Sequence, residues 1–402
     1  MGTATQNSAL PSVTLALLQW LKKNLFSNWY NTLLTFVSAI LVFFALRGIF
    51  TWVFFTADWT PVTSSFKLFA AGQYPNEQLW RVGSVVLMVS ALLGVSWGVW
   101  GGAVRAFALA LAMGLGIVAV LPVGLDKISL ELRLWFLANP ILTVAGYLLG
   151  RTPFVKGQWV LLGWLLSFGL TIVLLRGFEG SSALPLVDTG LWGGLLLTFL
   201  LALIGIIASF PIGVLLALGR QSSLPVVKIF CILFIELIRG VPLVTILFMA
   251  SIILPLFLPE DIRIDRVLRA MIGITLFSAA YMAENVRGGL QAIPRGQYEA
   301  AKAVGLNGFQ TMLLIVLPQA LRTVIPAIVG QFIALFMDTT LAIIVGLVEL
   351  LAVGKVVLNS NPEWLLLSSE VYIFIAAVFW VFTYSMAYAS YKLEKALGLG
   401  KR

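Results

Sequence analysis

Glu236, Arg239, Glu284, Arg287 and Asp338 fall in or at the ends of long apolar stretches. A charge at the centre of a membrane-crossing helix costs roughly 2.5–3.5 kcal/mol even on insertion scales, so each must be paired, hydrated or functional. Glu236 and Arg239 are three residues apart, as are Glu284 and Arg287, so each couple is predicted to close an ion pair on one helix face. Asp338 is followed by Thr339 and Thr340, with Gln331 seven residues earlier on roughly the same face. Its carboxylate needs a partner: a substrate ammonium, a cation on another helix, or a structural hydrogen bond. Covalent chemistry is poorly provided for. Histidine is absent and Cys231 is the only cysteine, which removes the commonest general base, the commonest transition-metal ligand and any intrachain disulfide. No aspartate pair or Ser–Lys dyad stands at a catalytic spacing. No phosphate-binding Gly-x-x-x-x-Gly-Lys-[Ser/Thr] loop occurs either, since the nearest candidate, Gly354-Lys355, has Glu349 in place of the first glycine and Val356 in place of the hydroxyl. ATP chemistry coupled to this chain belongs to another subunit.

A second group of candidate residues lies in a short loop between two apolar stretches. Residues 299–318 read Glu-Ala-Ala-Lys-Ala-Val-Gly-Leu-Asn-Gly-Phe-Gln-Thr-Met-Leu-Leu-Ile-Val-Leu-Pro. Pro294 cannot continue a helix and Gly305 readily takes the left-handed conformation that ends one, which predicts about two helical turns over 296–304. Isolated helices shorter than roughly 12–15 residues are marginal in water, so this one must gain stability by packing. Ala300, Ala301 and Ala303 let a partner approach the backbone, Tyr298 and Val304 offer apolar anchors, and Glu299 puts an anionic group at the helix start. An alanine-rich surface connector is the plain alternative. The glycine, the Ile-x-Leu-Pro tail in register and the flanking apolar stretches favour a docking helix.

The elements that position these groups are membrane spans. The chain has 402 residues, 60% hydrophobic and 11% charged, with uncharged runs at 195–214 and 371–382. Windows of about 20 residues predict spans near 31–57, 82–100, 105–123, 134–150, 158–177, 191–218, 226–257, 267–287, 321–350 and 368–390. The 134–150 segment contains Asn139-Pro140 and has an interfacial or re-entrant alternative, so the expected total is eight to ten. Segment 226–257, interrupted by Glu236, Arg239-Gly240 and Pro242, is expected to be one bent crossing. No cleaved signal peptide is expected, because no short apolar core with a small-residue cleavage site opens the chain. Grouping alternate loops puts Lys22, Lys23, Arg220, Lys228, Arg287, Arg295, Lys302, Lys392, Lys395, Lys401 and Arg402 on one side. Asp58, Glu77, Glu179, Asp188, Glu260, Asp261 and Asp265 fall on the other. The basic side is expected to be cytoplasmic, and with it the 299–318 loop and the carboxyl terminus. The net charge of +9 thus reports orientation and not nucleic-acid binding. Arg47, alone in the first span, is expected to snorkel or face the bundle interior.

The spacing Glu299-Ala300-Ala301, three residues, Gly305, nine residues, Ile315-Val316-Leu317-Pro318 resembles the EAA motif, the cytoplasmic loop by which permease subunits of ATP-binding-cassette importers dock into a separate ATPase. Residues 191 to about 390 resemble the five-helix core of those permeases. Gly-Leu-Leu-Leu-Thr at 194–198, Glu236-Leu237-Ile238-Arg239-Gly240-Val241-Pro242-Leu243 and the block from Ala280 to Pro294 look like the polar and general L-amino-acid branch. Family members often have a lysine before the aspartate at 338; this chain has Met337, so that Lys–Asp pair is missing.

The resemblance implies an all-α, polytopic transmembrane helix bundle with a type I importer permease core and additional amino-terminal helices. Residues 1–190 would be the amino-terminal extension, 191–392 the core with its docking loop at 295–318, and 393–402 a basic cytoplasmic tail. It implies Tyr298, Glu299, Ala300, Ala301, Gly305, Ile315, Leu317 and Pro318 as ATPase-docking residues. The substrate-path or gating candidates are Glu236, Arg239, Glu284, Gln331, Asp338 and Thr339. The implied function is alternating-access import of L-amino acids, polar ones by branch, across a bacterial plasma (inner) membrane. The implied partners are two ATPase subunits that bind ATP and Mg, a second homologous permease and a substrate-binding protein; this chain binds no cofactor and is no enzyme. The rival is an ion-coupled secondary amino-acid transporter using Glu236, Glu284 or Asp338, disfavoured by the lack of internal duplication.

Overall fold

A peptide group in hydrocarbon has no water to bond, so a chain this apolar is driven to satisfy its backbone within helices. The computed structural model describes residues 13–120, 130–259 and 264–398, and among them are helices, turns and loops with only isolated β-bridges. Glu260, Asp261, Lys401 and Arg402 lie outside the described residues. Two compact units divide after Asp58. In the first, α1 (Val13–Asn24) precedes α2 (Trp29–Thr51), which is capped by Asn28 and has no buried residue along its length.

The second unit, Trp59–Arg402, begins with two short helices, α3 (Thr60–Ser64) and α4 (Phe66–Ala71). Four longer ones follow: α5 (Leu79–Trp100), α6 (Gly102–Val120), α7 (Leu130–Gly150) and α8 (Gly157–Arg176). The segment with an interfacial alternative is thus a continuous helix, α7, and the register of its contacts with α5 decides how it runs. Gly83 lies beside Trp135, Gly94 beside Thr143 and Gly98 beside Tyr147, so the two helices are parallel and α6 must return between them. A Cβ on Gly146 would stand 2.5 Å from the Ala91 carbonyl oxygen, an approach only small residues permit. Asn139 is satisfied inside this pair: it accepts from the Ser90 hydroxyl at 2.7 Å and donates to the Trp135 carbonyl at 2.8 Å.

The core continues with α9 (Gly194–Arg220), α10 (Pro225–Arg239), α11 (Leu243–Phe248) and α12 (Arg266–Gln291). Then come α13 (Arg295–Ala303), α14 (Gly308–Gln310), α15 (Leu317–Asp338), α16 (Leu350–Ser360) and α17 (Ser368–Ala396). Among the described residues seven helices are long and apolar enough to cross a membrane, and the pair Pro225–Arg239 and Leu243–Phe257, bent by 107°, adds an eighth. The break of the expected bent crossing falls at Gly240–Pro242, where proline removes a donor. α9 and α12 are parallel, with Gly205 beside Ile274 and Gly213 beside Met282, while α15 runs against both, with Gly289 beside Ala320 and Gly205 beside Leu335.

Glu349, between the crossing helices and wholly buried, caps α16 by accepting from the N–H groups of Leu351 and Ala352, both at 2.8 Å. Burial outweighs those bonds and pushes its carboxyl up to about 7 from an ordinary 4.5. Between these values the folded protein holds a proton that the unfolded chain releases, so the stabilisation is full below about 4.5 and is lost as pH rises through about 7. The melting temperature of the wild type should therefore fall relative to Glu349→Gln as pH is raised across that window. A pH-independent difference would show the carboxylate ionised throughout.

Candidate coupling and gating site

Pro294 and Gly305 bound the loop helix as the sequence suggests. α13 is nine residues long, and Gly305 closes it in the left-handed conformation, φ 83°. The Gly305 N–H bonds to the Lys302 carbonyl at 3.0 Å and the Leu306 N–H to that of Ala301 at 3.1 Å, which uses the last carbonyls of the helix. Since α13 starts at Arg295, Glu299 lies in its middle and outside the first turn. The dipole argument for Glu299 lapses with that position.

The candidates divide between two faces of the loop. Tyr298 and Leu317 turn toward the chain's own core in the cluster of Val286, Leu290 and Val316, Ala301 is buried and Ile315 half-buried. Glu299, Ala300, Gly305 and Pro318 are exposed. With them stand two apolar side chains, Val304 at 76% and Phe309 at 74% exposure. Phe309 was not singled out in the sequence. It is fixed by a capping box: Asn307 Oδ1 accepts from the Gln310 N–H at 2.8 Å, and the Asn307 N–H donates to Gln310 Oε1 at 3.1 Å. The Asn-x-x-Gln spacing was the available signal. Pro318 sits within one continuous helical stem, and the widened turn Thr311–Val316 just before it absorbs the missing donor and the ring's bulk.

The ionic residues converge one layer deeper. Glu284 and Arg287 form the expected intrahelical pair, with Arg287 Nε donating to Glu284 Oε1 at 2.8 Å. Glu236 and Arg239 do not pair with each other. Glu236 instead takes Arg220 of α9 at 2.9 Å, while Arg239 turns over the Tyr281 ring, 5.4 Å from its centroid, and reaches Glu284 at 3.5 Å. The physical reason is that α10 packs on both α9 and α12, so partners across helices are nearer than the local one. Arg220 also lies 3.5 Å from Glu284, so that carboxylate, 22% exposed, is shared by arginines of three helices. Arg220 had been read only as an orientation signal, because its partners are distant in sequence.

Asp338 and Thr339 stand apart from this cluster. Gly289 of α12 lies level with Ala320, so Asp338 is about 20 Å along α15 from the Glu284 level at 1.5 Å per residue. Asp338 ends α15, is half-buried and has no ion-pair partner among the described residues. Thr339 is buried and spends its hydroxyl on the Phe336 carbonyl at 2.8 Å. Gln331 is half-buried two turns before Asp338.

Residues 209–398 match the family described as binding-protein-dependent transport system inner membrane component. The chain is 37% identical over 400 residues to the inner membrane amino-acid ABC transporter permease protein YhdY of Escherichia coli (strain K12), an alignment covering 95% of this chain and 93% of the relative. The chain belongs to the amino-acid ABC transporter permeases. It is 34% identical over 425 residues to the glutamate/glutamine/aspartate/asparagine transport system permease protein BztC of Rhodobacter capsulatus, covering 94% and 93%. The probable glutamine ABC transporter permease protein GlnP of Bacillus subtilis is matched over 204 residues at 34% identity, covering 51% of this chain and 92% of that one. As an ABC permease this chain is a multi-pass inner-membrane transport component and not an enzyme, of a family that works with ATPase and substrate-binding partners.

Removing the shared carboxylate leaves three arginines facing one glutamate. Glu284→Gln in this permease should therefore lower unfolding stability by about 2 kcal/mol, the cost of leaving partly buried charges unpaired. Glu236→Gln, at a side chain 55% exposed, should change it by no more than about 0.5 kcal/mol. Thermal or denaturant melts of the purified protein check this, and equal effects would remove Glu284 as the shared partner.

Proposed function

We propose that this chain is the permease subunit of an ATP-driven importer of polar L-amino acids, with the docking loop and carboxyl terminus in the cytoplasm. The observation that carries the reading is the outward face of α13 and α14. A polar loop that holds Val304 and Phe309 exposed at the end of a rigidly closed helix has the character of a contact surface. Glu299, Ala300, Gly305 and Pro318 border it, and the inward Tyr298, Ala301, Ile315 and Leu317 seat it on the core. Two ATPase subunits, holding ATP and Mg, would take this face on the chain and on a second, homologous permease, and a substrate-binding protein would deliver the amino acid from outside. The polar substrate class is supported by the glutamate, glutamine, aspartate and asparagine in the name of the relative BztC. The Glu284 cluster, joined to α13 through the end of α12, is the gating candidate, and the unpartnered Asp338 is the candidate contact for a substrate cation.

Uptake by the assembled complex in vesicles should require ATP on the cytoplasmic side and persist when proton and sodium gradients are collapsed. Uptake driven by an imposed ion gradient without nucleotide would favour the secondary-carrier reading. Gly305→Val tests the docking face directly. A Cβ there meets no atom within 4 Å, so the change acts through the left-handed backbone, at about 1–2 kcal/mol. It should leave membrane insertion intact, reduce ATPase co-purification at least severalfold and abolish uptake, and normal co-purification with full uptake would refute it. Asp338→Asn should selectively weaken uptake of substrates with a cationic side chain relative to neutral ones, normalised to assembled complex. An unchanged substrate profile would remove Asp338 from the site.

A further inference from the structure

Three distant backbone segments interlock at the Gly194 end of α9. Gly72 forms a bridge with Trp192, and Gly194 with Glu349. No side chain fits where they meet. A Cβ on Gly72 would stand 2.5 Å from the Gly193 Cα, and one on Gly193 2.8 Å from the Val348 carbonyl oxygen. The Gly194 N–H donates to that same carbonyl at 2.9 Å, and the Leu350 N–H donates to Thr198 Oγ1 at 3.1 Å. Beside this knot, α4 inserts Phe69 edge-on against Phe374 of α17, ring centroids 5.2 Å apart, in a buried cluster with Val62 of α3, Val353 of α16 and Val371 of α17. Behind it, the Tyr74 hydroxyl donates to the Leu175 carbonyl at 2.7 Å, and the wholly buried Arg81 of α5 donates to that of Pro185 at 2.9 Å. These bonds fasten the loop that leads into α9.

The two ends of the core are therefore joined by different physics. At the Gly194 end backbones are in van der Waals contact and rings are buried, and separating them exposes unpaired peptide groups. At the Glu284 end the joints are partly exposed ion pairs, which exchange partners at small cost.

We propose that the segments 59–81 and 175–192 brace the outer rim of the permease, so that the outer ends of α9, α16 and α17 stay joined as one body throughout transport. The inference rests on the importer reading above, which supplies the outer side.

The test replaces the sole cysteine, Cys231, by alanine and introduces Phe69→Cys with Phe374→Cys. A cleavable bifunctional thiol reagent of short span joins the pair in the reconstituted complex with its ATPase and binding protein. Uptake of labelled L-glutamate and L-glutamine is compared before joining, after joining and after cleavage. The brace predicts that the joined complex keeps at least half of its uncross-linked rate. A tenfold loss that cleavage restores would overturn it, and so would failure of the pair to cross-link in the folded complex, read by peptide mass. Val62→Cys with Val371→Cys, from the same cluster, serves if the aromatic pair does not assemble. Uptake that runs on an ion gradient without ATP would refute the importer reading, while the cross-link comparison would still decide the brace.

Discussion

Helices in lipid gain little from the hydrophobic effect when they associate, because acyl chains are as apolar as leucine, so their pairing depends on how closely the backbones can approach. That constraint organises this permease. Ser90, Gly94 and Gly98 of α5 meet Asn139, Thr143, Gly146 and Gly150 of α7, and Gly205 and Gly213 of α9 receive α12. Both pairs run parallel. Parallel neighbours need a segment that runs back between them, and α6 supplies it in one case and the broken α10–α11 unit in the other. The close contacts thus determine topology as well as stability.

A second constraint follows from the cost of charge in that environment. The core keeps its arginines and glutamates at the ends of helices that already touch, where Glu284 serves three guanidinium groups at once. Three arginines and two glutamates leave the cluster with one positive charge in excess, a field that favours an anionic group entering between α10 and α12. Asp338, about 20 Å away along α15, carries the opposite sign and has no ion-pair partner among the described residues.

What could be read from the sequence was local. The existence of the spans, the two-turn loop helix, its left-handed glycine stop and the Glu284–Arg287 pair all rest on residues within a few positions of each other, where proline, glycine and helical spacing act directly. The Glu236–Arg239 pair fails for the complementary reason: a guanidinium on a flexible stem takes the best partner in space, and α9 and α12 bring better ones. The parallel course of α5 and α7 was hidden because apolar periodicity does not say which neighbour a helix chooses, although the small residues at four-residue spacing were on view. Asp338 lies inside the apolar segment Gly308–Val345, as hydropathy predicts, but hydropathy does not show that the α-helix ends at that residue and a tighter 3-10 turn carries on through Val345.

The docking helix has two covalent routes into the membrane, and they differ in stiffness. One is α12, which ends three residues before α13 and carries Glu284 about two turns from its end. The other is the stem through α14, whose widened turn at Thr311–Val316 and following Pro318 give it fewer regular backbone hydrogen bonds. The Gln319 amide steadies the stem by donating to the Ile315 carbonyl at 2.8 Å and to Gln297 Oε1 at 3.1 Å, the latter in α13 itself. Tyr298 packs into the buried cluster that holds Val286 and Leu290 of α12 and Val316 of the stem, and α13 lies against the widened turn Thr311–Val316. The regular helix, α12, is the route that leads directly from the loop to the carboxylate shared by the three arginines.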